Sequence, residues 1–248
     1  MHNIWTIAKR EYNLYFSSPV AYMVAFFILL VIGAIFYFFG IGQSVMGQGS
    51  APGVDIVTYP LATMFVLVIP AITTRLLAEE RRLGTIELLL TAPVRDWELV
   101  VGKWLGAFLL LLTILAITLV YPLILNQLVE PGIDQGPLIS GYLGLALLCA
   151  ALVAIGVFLS SLFSNQIAAF VATMGVLIFF WWIFGPIARA AGTIGTAGDL
   201  LTYLDFNAHY FDSLVRGIID LKDIVYYLSV TVLALLFGTL SVEVRRWG

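Results

Sequence analysis

Six apolar runs of about twenty residues or slightly more constrain this chain more than any other feature of its sequence. They lie at roughly Val20–Phe39, Val57–Leu76, Leu105–Leu125, Leu138–Leu162, Ile167–Ala188 and Ile224–Val242. A helix of about 20 residues crosses a hydrocarbon core about 30 Å thick. Lipid offers no partners to unpaired backbone groups, so the runs are read as α-helices. Composition agrees, with 61% hydrophobic and 11% charged residues, against about 25% charged in a soluble domain. The fold class expected is all-α, a polytopic membrane protein with six transmembrane helices. The first run exceeds the roughly 7–15 apolar residues of a signal peptide and is expected to stay as a span. The single cysteine, Cys149, sits in an apolar run and reads as a small core residue.

Charge placement orients the spans. Lys9 and Arg10 precede the first, Arg75, Arg81, Arg82, Arg95 and Lys103 lie between the second and third, and Arg245 and Arg246 follow the last. The other side receives Arg189, Arg216 and Lys222 together with Asp55, Glu130, Asp134, Asp199, Asp205, Asp212, Asp220 and Asp223. The excess of Lys and Arg places both termini in the cytoplasm. In the N-terminal segment, Ile4, Trp5, Ala8, Tyr12 and Tyr15 fall near helical spacing around Lys9, Arg10 and Glu11. Residues 1–18 are read as an amphipathic helix in the cytoplasmic interface, the alternative being an ordinary juxtamembrane flank. Pro19 opens the first span. Pro70 and Pro122 are expected to kink the second and third.

The spans are nearly free of ionisable side chains. Ion- and proton-coupled transporters usually carry such residues, so a secondary transporter is disfavoured, as are a charged-ring channel and membrane-embedded enzymes built on His and carboxylates. Small residues recur instead, at Ala146, Ala150 and Ala154 and again at Gly156 and Ser160. They allow close helix approach, either within one bundle or between subunits.

The segment between the second and third runs, "TTRLLAEERRLGTIELLLTAPVRDWELV", is the sharpest local feature. Arg75 and Glu79 stand four apart on the continuing helix, Gly84 suits a left-handed helix end, and Thr85 can cap a new helix. Pro93 ends that helix after about two turns, and Asp96 can cap the next. The pattern is helix, break, short helix, break, helix. The short helix shows Ile86, Leu89 and Leu90 beside a charged rim and suits docking; lying on the membrane is the alternative.

"EERRLGTIELLLTAPVRDWELVVGKWLG" resembles the cytoplasmic loop of ABC-2 type ABC-transporter permeases. The resemblance covers essentially the whole chain, 1–248, as a single transmembrane domain. It implies an interfacial helix at 1–18, a cytoplasmic coupling loop at 77–104 and an extracytoplasmic gate-like loop at 189–223. It further implies that Thr85–Thr91 is a coupling helix docking into a separate ATPase. The ATPase-coupling positions are then Glu79, Arg81, Gly84, Thr85, Ile86, Glu87, Leu88, Leu89, Leu90 and Pro93. The segment "NAHYFDSLVRGIIDLKDIVYYLSVTVLALLFGTLSVEVRRW" is similar to the permease subunit associated with bacterial gliding motility. That implies a bacterial cytoplasmic membrane and a companion with a large extracytoplasmic domain.

In the outer loop, Leu204, Phe211, Leu214 and Ile218 fall near one helical stripe, and Asp205, His209, Asp212 and Arg216 on another. The family resemblance implies short helices here that dip back toward the membrane and help form an outer gate, with Asp205, His209, Phe211 and Leu214 as gate or partner contacts. The polar stripe is read as a solvated face; metal ligation by Asp205, His209 and Asp212 is the alternative. No G-x-x-x-x-G-K-[ST] phosphate loop occurs, and "GKW" at 102–104 lacks its upstream glycine and hydroxyl. The chain is therefore expected to be non-catalytic, without metal or cofactor, with ATP and magnesium held by the partner ATPase. A cytoplasmic ABC ATPase, a second permease copy or relative, and lipid are the expected partners, and no nucleic acid. Two functions follow: half of an export pathway, or a mechanotransmitting anchor that passes ATPase motion to an extracytoplasmic partner without moving a substrate.

Overall fold

Every regular element among the described residues is a helix. The computed structural model describes residues 2–42, 53–82, 95–130, 132–191 and 196–246. Six helical stretches are long and apolar enough to cross a bilayer: Pro19–Ile41, Asp55–Glu80, Asp96–Leu128, Gln135–Leu162, Gln166–Ala191 and Leu221–Val244. They coincide with the six apolar runs and make the chain an all-α polytopic membrane protein.

Helix α1 is His2–Ser17, and α2, Pro19–Ile35, continues through a wide π-helical turn at Phe36–Ile41. The second span is α3, Asp55–Arg82, and the third is α4, Asp96–Thr118, followed by α5, Val120–Leu128. The fourth is α6, Gln135–Leu162. The fifth is α7, Gln166–Ile178, a π-helical turn at Phe179–Ile183, and α8, Phe184–Ala191. Short helices α9, Thr196–Tyr203, and α10, Phe206–Phe211, with a 3-10 turn at Leu214–Arg216, lead to the last span, α11, Leu221–Arg246.

Local chemistry sets the helix starts. Ser18, Asp134 and Asn165 each accept a hydrogen bond from the backbone N–H two residues on, which satisfies one of the four orphan donors of a helix start. At α4 the cap falls one residue earlier than the sequence suggests. Arg95, not Asp96, holds the extended cap conformation, and the Glu98 carboxylate accepts from the Arg95 N–H at 3.1 Å. Asp96 joins Glu98 in the first turn, where acids favour the helix dipole.

The prolines behave unequally. α3 runs unbroken through Pro60 and Pro70. Pro122 does mark a break, at Leu119 between α4 and α5. A helical proline leaves the carbonyl four residues back without its donor. That carbonyl is Thr118, and the buried Tyr142 hydroxyl donates to it at 3.1 Å.

The fourth span is the central post: 72% of its apolar window is buried, against 22% for the first and fifth spans. The small residues of α6 act within this bundle. At Gly156 an added Cβ would lie 2.3 Å from Thr73 Oγ1, and at Gly144 2.9 Å from Leu214. The Ser160 hydroxyl enters the α3 backbone, accepting from the N–H groups of Leu77 and Ala78 at 3.2 and 3.1 Å and donating to the Thr74 carbonyl at 3.3 Å.

Candidate functional site

Two clusters of charged and polar side chains occupy opposite ends of the bundle. The first is at the end where α1 packs and α11 finishes. Helix α1 buries Ala8, Glu11 and Tyr15 on one face. Gly102 and Gly106 of α4 let it approach: a Cβ there would stand 2.8 Å from Ile7 and 2.6 Å from Glu11 Cβ. Tyr15 donates to the Ile72 carbonyl of α3 at 3.1 Å, and burial pushes its phenol well above the usual range, so it stays a neutral donor. Asn3 donates to Glu98 at 3.1 Å and holds the other end of α1 to the start of α4.

Lys103 lies at the centre of this end. Its side chain is 2% exposed, and its Nζ donates to Glu11 at 2.9 Å and to Glu80 at 2.7 Å. The two carboxylates come from α1 and from the last turns of α3. One buried ammonium therefore joins three helices around the place where the chain leaves α3 at Arg82 and re-enters α4 at Asp96. Direct pairing offsets much of the desolvation of these three charges, so the contact is sensitive to loss of any one partner.

Of the sequence-predicted coupling residues, Glu79 is described: it pairs with Arg75 at 3.3 Å, the four-residue spacing read from sequence. Arg81 lies in the backbone of α3. Gly84, Thr85, Ile86, Glu87, Leu88, Leu89, Leu90 and Pro93 lie outside the described residues.

The second cluster is in the segment between the fifth and sixth spans, and it corrects the expected polar stripe. Asp205 and His209 are buried, at 0% and 5% exposure, while Leu204 and Ile218 are exposed. The periodicity failed because the segment is three short elements and not one helix. Asp205 itself makes a break: one carboxylate oxygen caps α10 by accepting from Asn207 N–H at 3.0 Å, and the other pairs with Arg189 at 3.3 Å. The carboxylate fits there because Gly185 has no side chain; a Cβ at 185 would meet it at 2.5 Å.

His209 is held from three sides. Its Nε2 faces the Tyr203 carbonyl at 2.7 Å and its Nδ1 faces Asp223 at 2.6 Å, and its ring stacks on Tyr226 at 4.0 Å. A carbonyl can only accept, so Nε2–H donates to Tyr203, while Nδ1 is engaged by the Asp223 carboxylate. The single Ser213 hydroxyl hydrogen is shared between the His209 carbonyl, at 2.9 Å, and Asp223. Both ring nitrogens are thus engaged, and Asp212 faces Arg216 at 3.6 Å, exposed on the surface. These contacts leave the His209 ring no nitrogen for a metal, and among the described residues no group of three or more His, Cys, Asp or Glu side chains is placed to hold one.

Phe211 is half-buried and packs edge-on against Tyr59 and Trp181. Leu214 is fully buried against Gly144 of α6. Tyr210 donates to the Thr58 carbonyl at 3.4 Å, and burial pushes its phenol far up. The four sequence-predicted residues Asp205, His209, Phe211 and Leu214 thus all help wedge α10 into the bundle, three of them buried.

The sequence reading missed Glu11, Glu80 and Lys103 as a unit, and likewise Ser160, Asp223 and Arg189. One signal was present. Glu80 and Lys103 sit just outside the apolar runs, where an ionisable group on a helix tail must find a partner or water. Nothing in the spacing tied Glu11 to them, because that pairing is made across 92 residues.

These features define a class: a polytopic helical membrane protein whose charged side chains gather at the two ends of an apolar bundle. The particular family follows from comparison. Residues 43–235 match the family model described as ABC-2 family transporter protein, and the chain belongs to that family. It is a transmembrane subunit of an ABC transporter, and membership implies an ABC ATPase as partner in a lipid setting. A search of the curated proteins found no match.

Proposed function

We propose that the chain forms half of a translocation pathway and couples ATP hydrolysis in a separate cytoplasmic ATPase to export or extrusion. Residues 85–91 dock into the ATPase, both termini face the cytoplasm, and a second permease copy or relative completes the path. The companion with a large extracytoplasmic domain belongs to the same reading, through the gliding-motility subgroup. The observation that carries the reading is the buried Lys103 contact with Glu11 and Glu80. It joins the two helices that flank residues 83–94 to each other and to α1. A push on the loop is therefore delivered to three helices together and not absorbed by one flexible tail. Ser160 extends the line by tying the same end of α3 to the central α6. Asp205, His209, Phe211 and Leu214 hold the far end of the bundle as an extracytoplasmic gate element.

Co-expression with the cognate ATPase tests this. A stable complex is expected, with hydrolysis that depends on the ATPase's own phosphate loop, and the isolated chain is expected to hydrolyse no ATP. Failure to retain any ATPase, or robust hydrolysis by the isolated chain free of contaminants, contradicts it.

A further inference from the structure

A wedge-shaped cavity of about 600 Å³ opens between α1 and the third span, on the side of α1 away from the Lys103 contact. Its apolar wall is Leu109, Leu112 and Ala116 of α4, and its mouth carries Trp5, Lys9 and Tyr12 of α1. The Tyr12 and Thr113 hydroxyls are hydrogen-bonded at 3.0 Å and join the two helices across it. A second depression, bordered by Arg10 and Asn13, adjoins it across Trp5 and Lys9.

The chemistry is two-sided. Glu11 is the one acid in α1, and it points the other way, into Lys103. No acid of α1 therefore cancels the field of Lys9, which lines the cavity, while Arg10 at its edge also lies near Glu80 of α3. Trp5, 57% exposed, is the side chain that favours the boundary between headgroups and acyl chains. A soluble anion would use the cations and leave the apolar wall wet. A diacyl anion uses both, and α4 is a span, so its wall faces acyl chains. We propose that this wedge is a binding site for an anionic phospholipid, with the phosphate against Lys9, supported by Arg10, and an acyl chain along Leu109, Leu112 and Ala116. The inference does not depend on how the ATPase is coupled.

Native mass spectrometry of the full chain from an uncharged detergent, titrated with phosphatidylglycerol or phosphatidylcholine, tests it. One phosphatidylglycerol is expected to be retained about tenfold more tightly than phosphatidylcholine, as two cations at a membrane surface allow. Lys9→Glu with Arg10→Glu should remove that preference. Ala116→Trp should block the apolar slot and weaken phosphatidylglycerol retention while the cations remain. All three positions are exposed, so apparent melting temperatures should move by no more than about 2 °C. Glycerol phosphate, which has the charge and no chain, should not displace the lipid. Equal retention of both lipids, displacement by glycerol phosphate at matched concentration, or unchanged binding in the variants would each overturn the proposal.

Discussion

Replacing Lys103 by methionine keeps most of the side chain's length and removes its charge, leaving Glu11 and Glu80 without the ammonium that joins them. At an effective dielectric of about 20, a unit charge pair at 2.7–2.9 Å attracts by about 6 kcal/mol before any cost of desolvation. Taking each ion out of water costs several kcal/mol, so the intact contact contributes only a small net stabilisation. Removing one partner is different, because the remaining charges keep their desolvation cost. Such changes cost about 3–5 kcal/mol. The carboxylates are 12% and 17% exposed and can recruit some water, which favours the lower figure. In a chain of this size about 3 kcal/mol lowers the melting temperature by roughly 6–12 °C. The assay is the apparent melting temperature of the purified chain in detergent, read by tryptophan fluorescence. Lys103→Met combined with Glu11→Gln and Glu80→Gln should recover most of the loss, since it removes the stranded charges. A single variant that melts with wild type, or a triple variant worse than the single, would refute the reasoning.

His209→Ala should lower the melting temperature, because it leaves one oxygen of the buried Asp223 carboxylate without its partner while Ser213 keeps the other; adding Asp223→Asn should restore part of it. Gly156→Ala places a Cβ within 2.8 Å of Thr73 Cβ and should cost about 1–3 kcal/mol, read as a lower melting temperature that Thr73→Ala partly reverses. For orientation, a cysteine at Gly198 should react with an impermeant thiol reagent added outside the cell and one at Gly84 should not; reversed labelling contradicts the assigned sides.

The spans were legible because lipid imposes a length and a composition on each of them separately. Every boundary but Leu162 shifted outward, the start of the third span furthest, from Leu105 to Asp96, since polar tails such as Asp96–Lys103 stay helical beyond the apolar run. The pairing of Arg75 with Glu79 was legible for the same reason: it lies within one helix. What could not be read were contacts between distant segments. Glu11, Glu80 and Lys103 each look like ordinary flanking charges until three helices converge. The outer segment misled because a 3.6-residue stripe presumes one helix, and the capping side chain of Asp205 ends that assumption at its own position. His209 and Asp205 then look solvated in sequence and are buried in the fold, each satisfied by a residue from another element.

The central claim, that residues 85–91 dock into an ATPase, is tested most directly by Leu89→Asp in the purified complex. A carboxylate in an apolar contact without a partner costs several kcal/mol. Gly84→Val should act through geometry, since a β-branched residue resists the left-handed turn expected there, and Gln48→Asp, in the loop expected on the opposite side, serves as control. The measurement is the amount of ATPase that copurifies with each variant and its hydrolysis rate in lipid. Leu89→Asp and Gly84→Val are predicted to reach the membrane normally and to lose ATPase association or coupled hydrolysis, with Gln48→Asp unchanged. A Leu89→Asp chain that copurifies with a fully coupled ATPase contradicts the account and leaves the loop resting on the membrane surface.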